Sequence, residues 1–330
     1  MHMAPTDEVD VNRLPKLAVT GVLFLLLLIA GLGLKPGGSL TILEDSLQMS
    51  GHFSVFGILA FCTALAAPYL LPWSKDRRWA QYLCGLVVSI GVGALLEVGQ
   101  LFIPGRYANL GDLTFDVAGA IAAICLLIAI HQIGRQGIQW RVLQIASGIA
   151  FFLLVILGTQ PFVLCYIDYQ KRDAALPKLI DFNEGWSRRF ANIGEGAGQL
   201  IGQLPTGWTG GEDVVGIRFL KGARYPGLGI KEPCPDWRAF ETFAFDVFAP
   251  LPGPLEFRVN DVEHNNEFDD RFNRRLNLEQ GFRTIRIPID QIRTGPKNRE
   301  LDLSNIDRIQ LFVYKPSADF DLWLGNFRLE

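Results

Sequence analysis

Apolar residues run in long blocks broken by short polar connections over the first half of the chain, and alternate with polar residues in short stretches over the second half. Five blocks meet the roughly 17 to 25 residues that a spanning helix needs. They extend from Leu17 to Leu34, Phe53 to Trp73, Tyr82 to Ile103, Phe115 to Ile130 and Val142 to Cys165. Beyond Ile180 the segments WSRRFANI, VVGIRFL, TFAFDVFA, LEFRVN, FRTIRIPI, RIQLFVY and DLWLGNFRL are rich in β-formers and separated by Pro, Gly, Asn and Asp. That spacing predicts an antiparallel β-sandwich uninterrupted by long helices. The expected fold is an α-helical multi-pass membrane domain followed by an all-β domain. Residues 1–135 hold four helices, 136–170 a fifth helix and linker, and 171–330 the sandwich.

Charge then orients the helices. Arg13 and Lys16 precede the first block, Lys75, Arg77 and Arg78 follow the second, and Arg135 and Arg141 follow the fourth; the alternate connections hold only Lys35 and Arg106. Positive charge accumulates on the cytoplasmic side of short connections. A cytoplasmic N-terminus and an extracytoplasmic C-terminal domain at a bacterial inner membrane are therefore expected. The first block exceeds a signal-peptide core, and GLGLKPGG offers no cleavage site, so it reads as a retained span.

Composition narrows the partners. The hydrophobic fraction is 49%, the net charge is -3 and no Lys/Arg-rich run occurs, so nucleic acid is not expected. Cys62, Cys84, Cys125 and Cys165 sit in apolar blocks and Cys234 stands alone in the second half, with no zinc spacing.

Within the apolar half, EVGQLFIPGRYANLGDLTFDVAGA, from Glu97 to Ala120, is unusual. Glu97 and Gln100 share a face at the end of the third block, and Asp112 and Asp116 share one at the start of the fourth. Pro104 and Gly105 break the helix between them, Arg106 and Asn109 occupy the turn, and His52 opens the second block on the same side. Three helix ends thereby bring His52, Glu97, Gln100, Arg106, Asn109, Asp112 and Asp116 to one depth. A carboxylate within a bilayer costs several kcal/mol unless paired, hydrated or neutralised. Two readings stay open: capping and snorkelling residues with Arg106 paired to an acid, or a polar pocket for a lipid-linked headgroup, a sugar phosphate or a divalent cation.

The pattern Glu97-x2-Gln100-x5-Arg106-x5-Asp112-x3-Asp116-x2-Gly119, with His52-Phe53 before it, resembles the VanZ-like family of bacterial multi-spanning proteins over about the first 135 residues. The resemblance implies a cell-envelope protein, by name linked to glycopeptide resistance, without a settled activity. Family members often carry a lysine shortly before the histidine, where this chain has Asp45, Ser46 and Gln48, and an Asn at the position of Asp116. The opening LIDFNEGW and closing FDLWLGNFRLE of the second half resemble carbohydrate-binding-module and galactose-binding-like jelly rolls. That resemblance implies a fold more than a ligand.

The most polar stretch of the second half is RVNDVEHNNEFDDRFNRR, from Arg258 to Arg275. It begins as a strand and is expected to continue as a long loop carrying Asn260, Asp261, Glu263, His264, Asn265, Asn266, Asp269, Asp270, Arg271 and Asn273. Such groups hydrogen-bond sugar hydroxyls, Phe268, Phe272 or Trp237 could stack on a sugar face, and an oxygen-rich loop could hold Ca2+. A solvated, salt-bridged loop is the alternative. Trp186, Trp237 and Trp323 fit core positions, whereas Trp208, in PTGWTGG, is the first aromatic candidate for glycan contact.

The function expected is non-catalytic recognition: an outer-leaflet lipid or lipid-linked precursor at the polar pocket, and a glycan or envelope protein partner at the sandwich. No cofactor is expected beyond Ca2+ or another divalent cation. The alternative is a membrane enzyme or proton-coupled transporter working through Glu97, His52 and Asp112. Glu263 with Asp269 or Asp270 forms a further, glycosidase-like pair.

Overall fold

The computed structural model describes residues 40–103, 109–201 and 204–330, with positions 19, 21 and 22. The chain divides into two compact units, Met1–Cys165 and Tyr166–Glu330. The block predicted from Leu17 to Leu34 lies outside the described residues apart from those isolated positions. Four described helices are long and apolar enough to cross a membrane: α1 (Ile42–Leu70), α2 (Arg78–Gln100), α3 (Leu110–His131) and α4 (Ile138–Ala174).

Each helix is longer than its apolar block, because polar residues that cap or extend a helix are invisible to an apolar count. Helix α1 starts at Ile42, so His52 lies about three turns inside it instead of opening it. The cause is a capping box: Glu44 N–H donates to Thr41 Oγ1 (3.1 Å), and Thr41 N–H donates to Glu44 Oε2 (2.8 Å). Similarly, α4 runs on through Asp168, Lys171 and Arg172 to Ala174, since no helix breaker intervenes before Pro177.

Small residues set the helix spacing. A Cβ at Gly119 of α3 would collide with the Phe53 carbonyl of α1, and one at Gly57 of α1 would lie 3.0 Å from the Gly119 carbonyl. On the α2 side, a Cβ at Gly85 would lie 2.6 Å from the Ala60 carbonyl. Ser89 Oγ donates to the Phe56 carbonyl at 2.8 Å, which satisfies its hydroxyl. Close backbone approach through small residues is how helices associate where no hydrophobic effect separates core from surroundings. Large apolar side chains such as Leu95, Leu110, Phe152 and Ile156 face outward. An apolar exterior of this extent suits lipid.

The second unit is a two-sheet antiparallel sandwich. Its strands are β1 (Ala191–Ile193), β2 (Ala197–Leu200), β3 (Val214–Phe219), β4 (Gly227–Lys231), β5 (Thr242–Ala249), β6 (Gly253–Asp261), β7 (Phe272–Leu278), β8 (Gly281–Pro288), β9 (Ile306–Phe312) and β10 (Phe320–Leu329). One sheet has the order β1-β4-β9-β6-β7 and the other β2-β3-β10-β5-β8. Their inner faces meet through stacked rings, with Phe257 of β6 5.1 Å from Phe243 and 6.0 Å from Phe245 of β5.

Three expectations need correction here. WSRRFANI is mostly a one-turn helix, α5 (Ser187–Phe190), and only Ala191–Ile193 is strand. The polar stretch from Arg258 is not one long loop: Asn260 and Asp261 still belong to β6, and Asn273 lies in β7. The reason is that β6 pairs with both β7 and β9, so its backbone hydrogen bonds extend the strand through polar positions. Trp237 is fully buried, stacked 5.6 Å from Phe243 with its Nε1–H donated to the Cys234 carbonyl, and offers no face to a sugar.

Glycine substitutions test the helix packing. Gly119→Ala should cost about 1–3 kcal/mol through overpacking against Phe53. Gly91→Ala, whose Cβ would meet nothing within 4 Å, should be neutral or gain up to about 1 kcal/mol of helix propensity. Thermal unfolding of the two variants in detergent checks the contrast; equal midpoints would contradict the close approach.

Candidate functional site

The end of α2, the start of α3 and the third turn of α1 converge on one polar cluster. Asn109 joins two of them. Its side-chain Oδ1 accepts from Gly111 N–H (2.8 Å) as the α3 cap, its Nδ2 donates to Asp112 Oδ1 (3.0 Å), and its backbone N–H donates to Glu97 Oε2 (2.6 Å). His52 joins the third: its Nδ1 lies 2.8 Å from Asp116 Oδ1 and its Nε2 4.0 Å from Asp112 Oδ2. The imidazole also stacks 5.9 Å from the Phe56 ring.

The cluster is well buried, with Glu97 and Asp112 each 7% exposed, Gln100 2% and Asp116 0%. Among the described residues, Glu97 Oε1 and Asp116 Oδ2 have no hydrogen-bond partner. Asp116 fits only because α2 carries Gly93 opposite, where a Cβ would stand 2.5 Å from Asp116 Oδ2. Gly93 and Phe56 are thus site residues that charge patterning did not reveal. Arg106 lies outside the described residues.

Chemically, three carboxylates around one imidazole form an acceptor-rich site. Among the described residues, no group of three or more His, Cys, Asp or Glu side chains is arranged to hold a metal ion. Beside the cluster, a cleft of about 370 Å³ is lined by Phe53, Gly57, Phe61, Gly119, Ala123 and Phe151. It begins at the residue after His52 and one turn along α3 from Asp116. The polar cluster and the apolar cleft thus lie within about one turn of each other on α1 and α3.

In the sandwich, Arg299 organises the polar stretch. Its Nη1 and Nη2 reach Asp261 at 2.5 and 2.7 Å, and its Nε reaches Asp270 at 2.5 Å. Asp261 is fully buried and also accepts from Asp302 N–H at 2.8 Å. Lys297 binds Asp269 at 2.6 Å. The bond to Arg299 and the Asn265 amide hold the Asp270 carboxyl below its usual range, and both aspartates push the Arg299 guanidinium up. Hydrogen bonds from Ser304 and Asn305 hold Asp302 down.

The remaining loop residues are turned on each other. His264 Nδ1 accepts from Asn266 N–H (3.0 Å), and burial together with Arg271 lowers the His264 pKa. Asn265 Oδ1 accepts from Glu267 N–H (2.8 Å), and Asn260 Nδ2 donates to Asp307 (3.4 Å). Arg271 reaches the Asn266 carbonyl at 3.3 Å. Trp208 is half-buried against the other sheet: its ring meets Phe282 edge-on at 5.3 Å and its Nε1–H donates to the Gly211 carbonyl.

A groove of about 200 Å³ on the outer face of the β1-β4-β9-β6-β7 sheet was not anticipated. The strand registers align Asn192, Gly229, Gln310, Arg258 and Asn273 in one row. Arg258 Nε donates to Asn273 Oδ1 (2.9 Å) and its Nη1 to Gln310 Oε1 (3.4 Å), while its guanidinium lies 4.8 Å over the Phe312 ring. Tyr225 meets Phe312 edge-on at 5.7 Å and Tyr314 at 5.3 Å, completing an aromatic rim. Gly227 and Gly229 keep the floor low: a Cβ at Gly227 would strike the Leu311 carbonyl, and one at Gly229 would lie 2.6 Å from Asn192 Oδ1. The only sequence signal was the alternation Glu256, Arg258, Asn260 and Gln310, Phe312, Tyr314.

Residues 19–131 match the family model described as VanZ/LLP1, about a third of the chain. With four apolar helices and a two-sheet sandwich, this fits a membrane protein of the cell envelope. No curated protein matches the chain significantly. Solved structures similar to the C-terminal region include the family 11 carbohydrate-binding module from Clostridium thermocellum in complex with a β-1,3-1,4-mixed-linked tetrasaccharide. That module is 22% identical, with 42% of this chain and 86% of the module covered, at a TM-score of 0.32. The family 11 module of the Clostridium thermocellum cellulosomal cellulase Lic26A-Cel5E gives 21%, 46%, 92% and 0.34 in the same order. An exo-β-agarase gives 20% identity and a TM-score of 0.37 over 46% of this chain and 25% of the agarase.

Two outcomes test the Arg299 network. Arg299→Gln strands the buried Asp261 carboxylate and should cost about 3–5 kcal/mol of sandwich stability. Carboxyls held low contribute stability above their unfolded pKa, and lose it as pH falls through the folded values. Because His264 is held below its ordinary value, sandwich unfolding temperature should show a small decline as pH falls through about 6.5, and because Asp270 and Asp302 are held down the steeper fall should come below about pH 4. Tryptophan fluorescence melts across that range measure both.

Proposed function

We propose that this chain is a non-catalytic recognition protein of the bacterial inner membrane. Its N-terminus is cytoplasmic, five helices span the bilayer with the first over residues 17–34, and the sandwich is extracytoplasmic. The helical unit recognises the headgroup of an outer-leaflet lipid or lipid-linked precursor, and the sandwich binds a glycan. One observation carries the reading: Glu97, Asp112 and Asp116 are buried around His52 in a unit whose exterior is apolar, and two of their oxygens have no described partner. Such an arrangement is costly in lipid unless something uses it. Donor groups such as sugar hydroxyls or an amine match these acceptors, and the adjoining cleft matches a hydrocarbon chain.

Support for the glycan arm comes from amide and guanidinium groups beside three aromatic rings on one sheet face, the mix that orients and stacks sugars. A catalytic reading would need one carboxyl to shuttle a proton to substrate, with His52 oriented by Asp116 as base. Both readings are separable. With full-length protein in nanodiscs, binding of a polyprenyl-linked sugar should weaken about tenfold or more in His52→Ala and Asp116→Asn, roughly 1.4 kcal/mol. Glu97→Gln should change affinity without abolishing any product. A Glu97→Gln variant that binds normally but stops turnover of that lipid would sink the non-catalytic reading.

A further inference from the structure

Most arginines of the sandwich are held by carboxylates. Arg189 meets Asp168 at 2.6 Å, Arg218 meets Asp321 at 2.8 Å, Arg293 meets Asp290 at 2.6 Å and Arg328 meets Glu330 at 2.7 Å. The sheet groove is different. Among the described residues, neither Arg258 nor Arg271 has a carboxylate within ion-pair distance, and Glu256 on the same strand faces Arg275 at 3.8 Å. Arg224 and Lys315 stand over the rim rings of Tyr225 and Tyr314, at 5.4 and 5.5 Å, and likewise have no carboxylate partner among the described residues. Unpaired cations thus collect around one aromatic-rimmed groove while pairing prevails elsewhere.

Arg258 is central to the groove floor and incompletely used. A guanidinium has five N–H donors. Its Nε–H goes to Asn273 and one Nη1–H to Gln310, so among the described residues both Nη2–H groups and the second Nη1–H carry no protein bond. Burial and the neighbouring Arg271 charge lower the Arg258 pKa to about 10. Nearby, Arg271 Nε is buried without a hydrogen-bond partner among the described residues. A positive charge that is partly desolvated, fixed by two side-chain amides and left with a free donor edge is suited to a planar anion.

We propose that the groove selects an acidic polysaccharide, whose carboxylate pairs with the free edge of Arg258 while its sugar faces stack on Tyr225, Phe312 and Tyr314. This rests on the glycan reading of the sandwich and adds a substrate class to it. Asn192, Gln310 and Asn273 serve the neighbouring hydroxyls. Arg271 supplies long-range attraction that should respond to salt.

The test uses the full-length protein in nanodiscs of zwitterionic lipid, with polygalacturonate, its methyl-esterified counterpart and an uncharged β-glucan as probes. The acid form should bind at least about tenfold tighter than the ester, and the margin should shrink as salt rises from about 50 mM to about 500 mM. Arg258→Gln should weaken the acid form by a several-fold larger factor than the ester, bringing the two close together, and Arg258→Lys should restore part of the difference. Arg271→Gln should weaken the acid form with less effect, and unchanged melting confirms that each variant folds. Equal affinity for acid and ester, or an Arg258→Gln loss of the same size for both, overturns the acidic preference while leaving glycan binding intact. No binding of any polysaccharide by folded protein removes the glycan reading itself. Binding to vesicles of anionic lipid without binding to polygalacturonate assigns the cations to a membrane surface and overturns the proposal.

Discussion

The helical unit depends on one constraint, the close approach of α1 and α3 backbones at Gly57 and Gly119. Two helices that near cannot carry a side chain at the crossing, so dispersion and backbone packing hold them together. The same approach decides what happens one turn away, where His52 and Asp116 are forced within hydrogen-bond reach. Opposite them, Gly93 leaves the space the aspartate occupies. A polar cluster that would be prohibitive in hydrocarbon is therefore built by omitting side chains from three helices, not by adding them.

A related economy shapes the sandwich. Its core is held by stacked phenylalanines from both sheets, and its polar stretch by Arg299, which satisfies two aspartates at once. Burying Asp261 is tolerable only because that guanidinium and the Asp302 amide meet its oxygens. Residues that looked available for a ligand are thereby committed to holding β6, β7 and the following loop in place. What is left uncommitted lies on the outer sheet face, where Gly227 and Gly229 lower the floor beneath Arg258.

The two candidate sites have opposite chemistry. The helical cluster is rich in acceptors, with carboxylate oxygens that lack described partners, and it adjoins an apolar cleft. The sheet groove is rich in donors, with cations that lack carboxylate partners among the described residues, and it adjoins aromatic rings. Complementarity of charge and of polarity selects partners more sharply than size does. On the proposed function, the first site would take donor-bearing headgroups and the second a glycan.

By itself, the sequence determined the division into a helical and an all-β half, most strands of the sandwich, and the convergence of Glu97, Asp112, Asp116 and His52, because hydrophobic period and i, i+3 and i, i+4 spacing are local properties. The start of α1 was also legible, in the capping box of Thr41 and Glu44, although an apolar count passes over it. Tertiary structure alone decided that Asp261 and Asp270 belong to Arg299. It alone assembled the groove, since Asn192, Gly229, Arg258, Asn273 and Gln310 come from five strands scattered across 119 positions of the sequence and meet only through strand register. Register is fixed by long-range pairing of whole strands, and no local pattern encodes which outward-facing residues become neighbours.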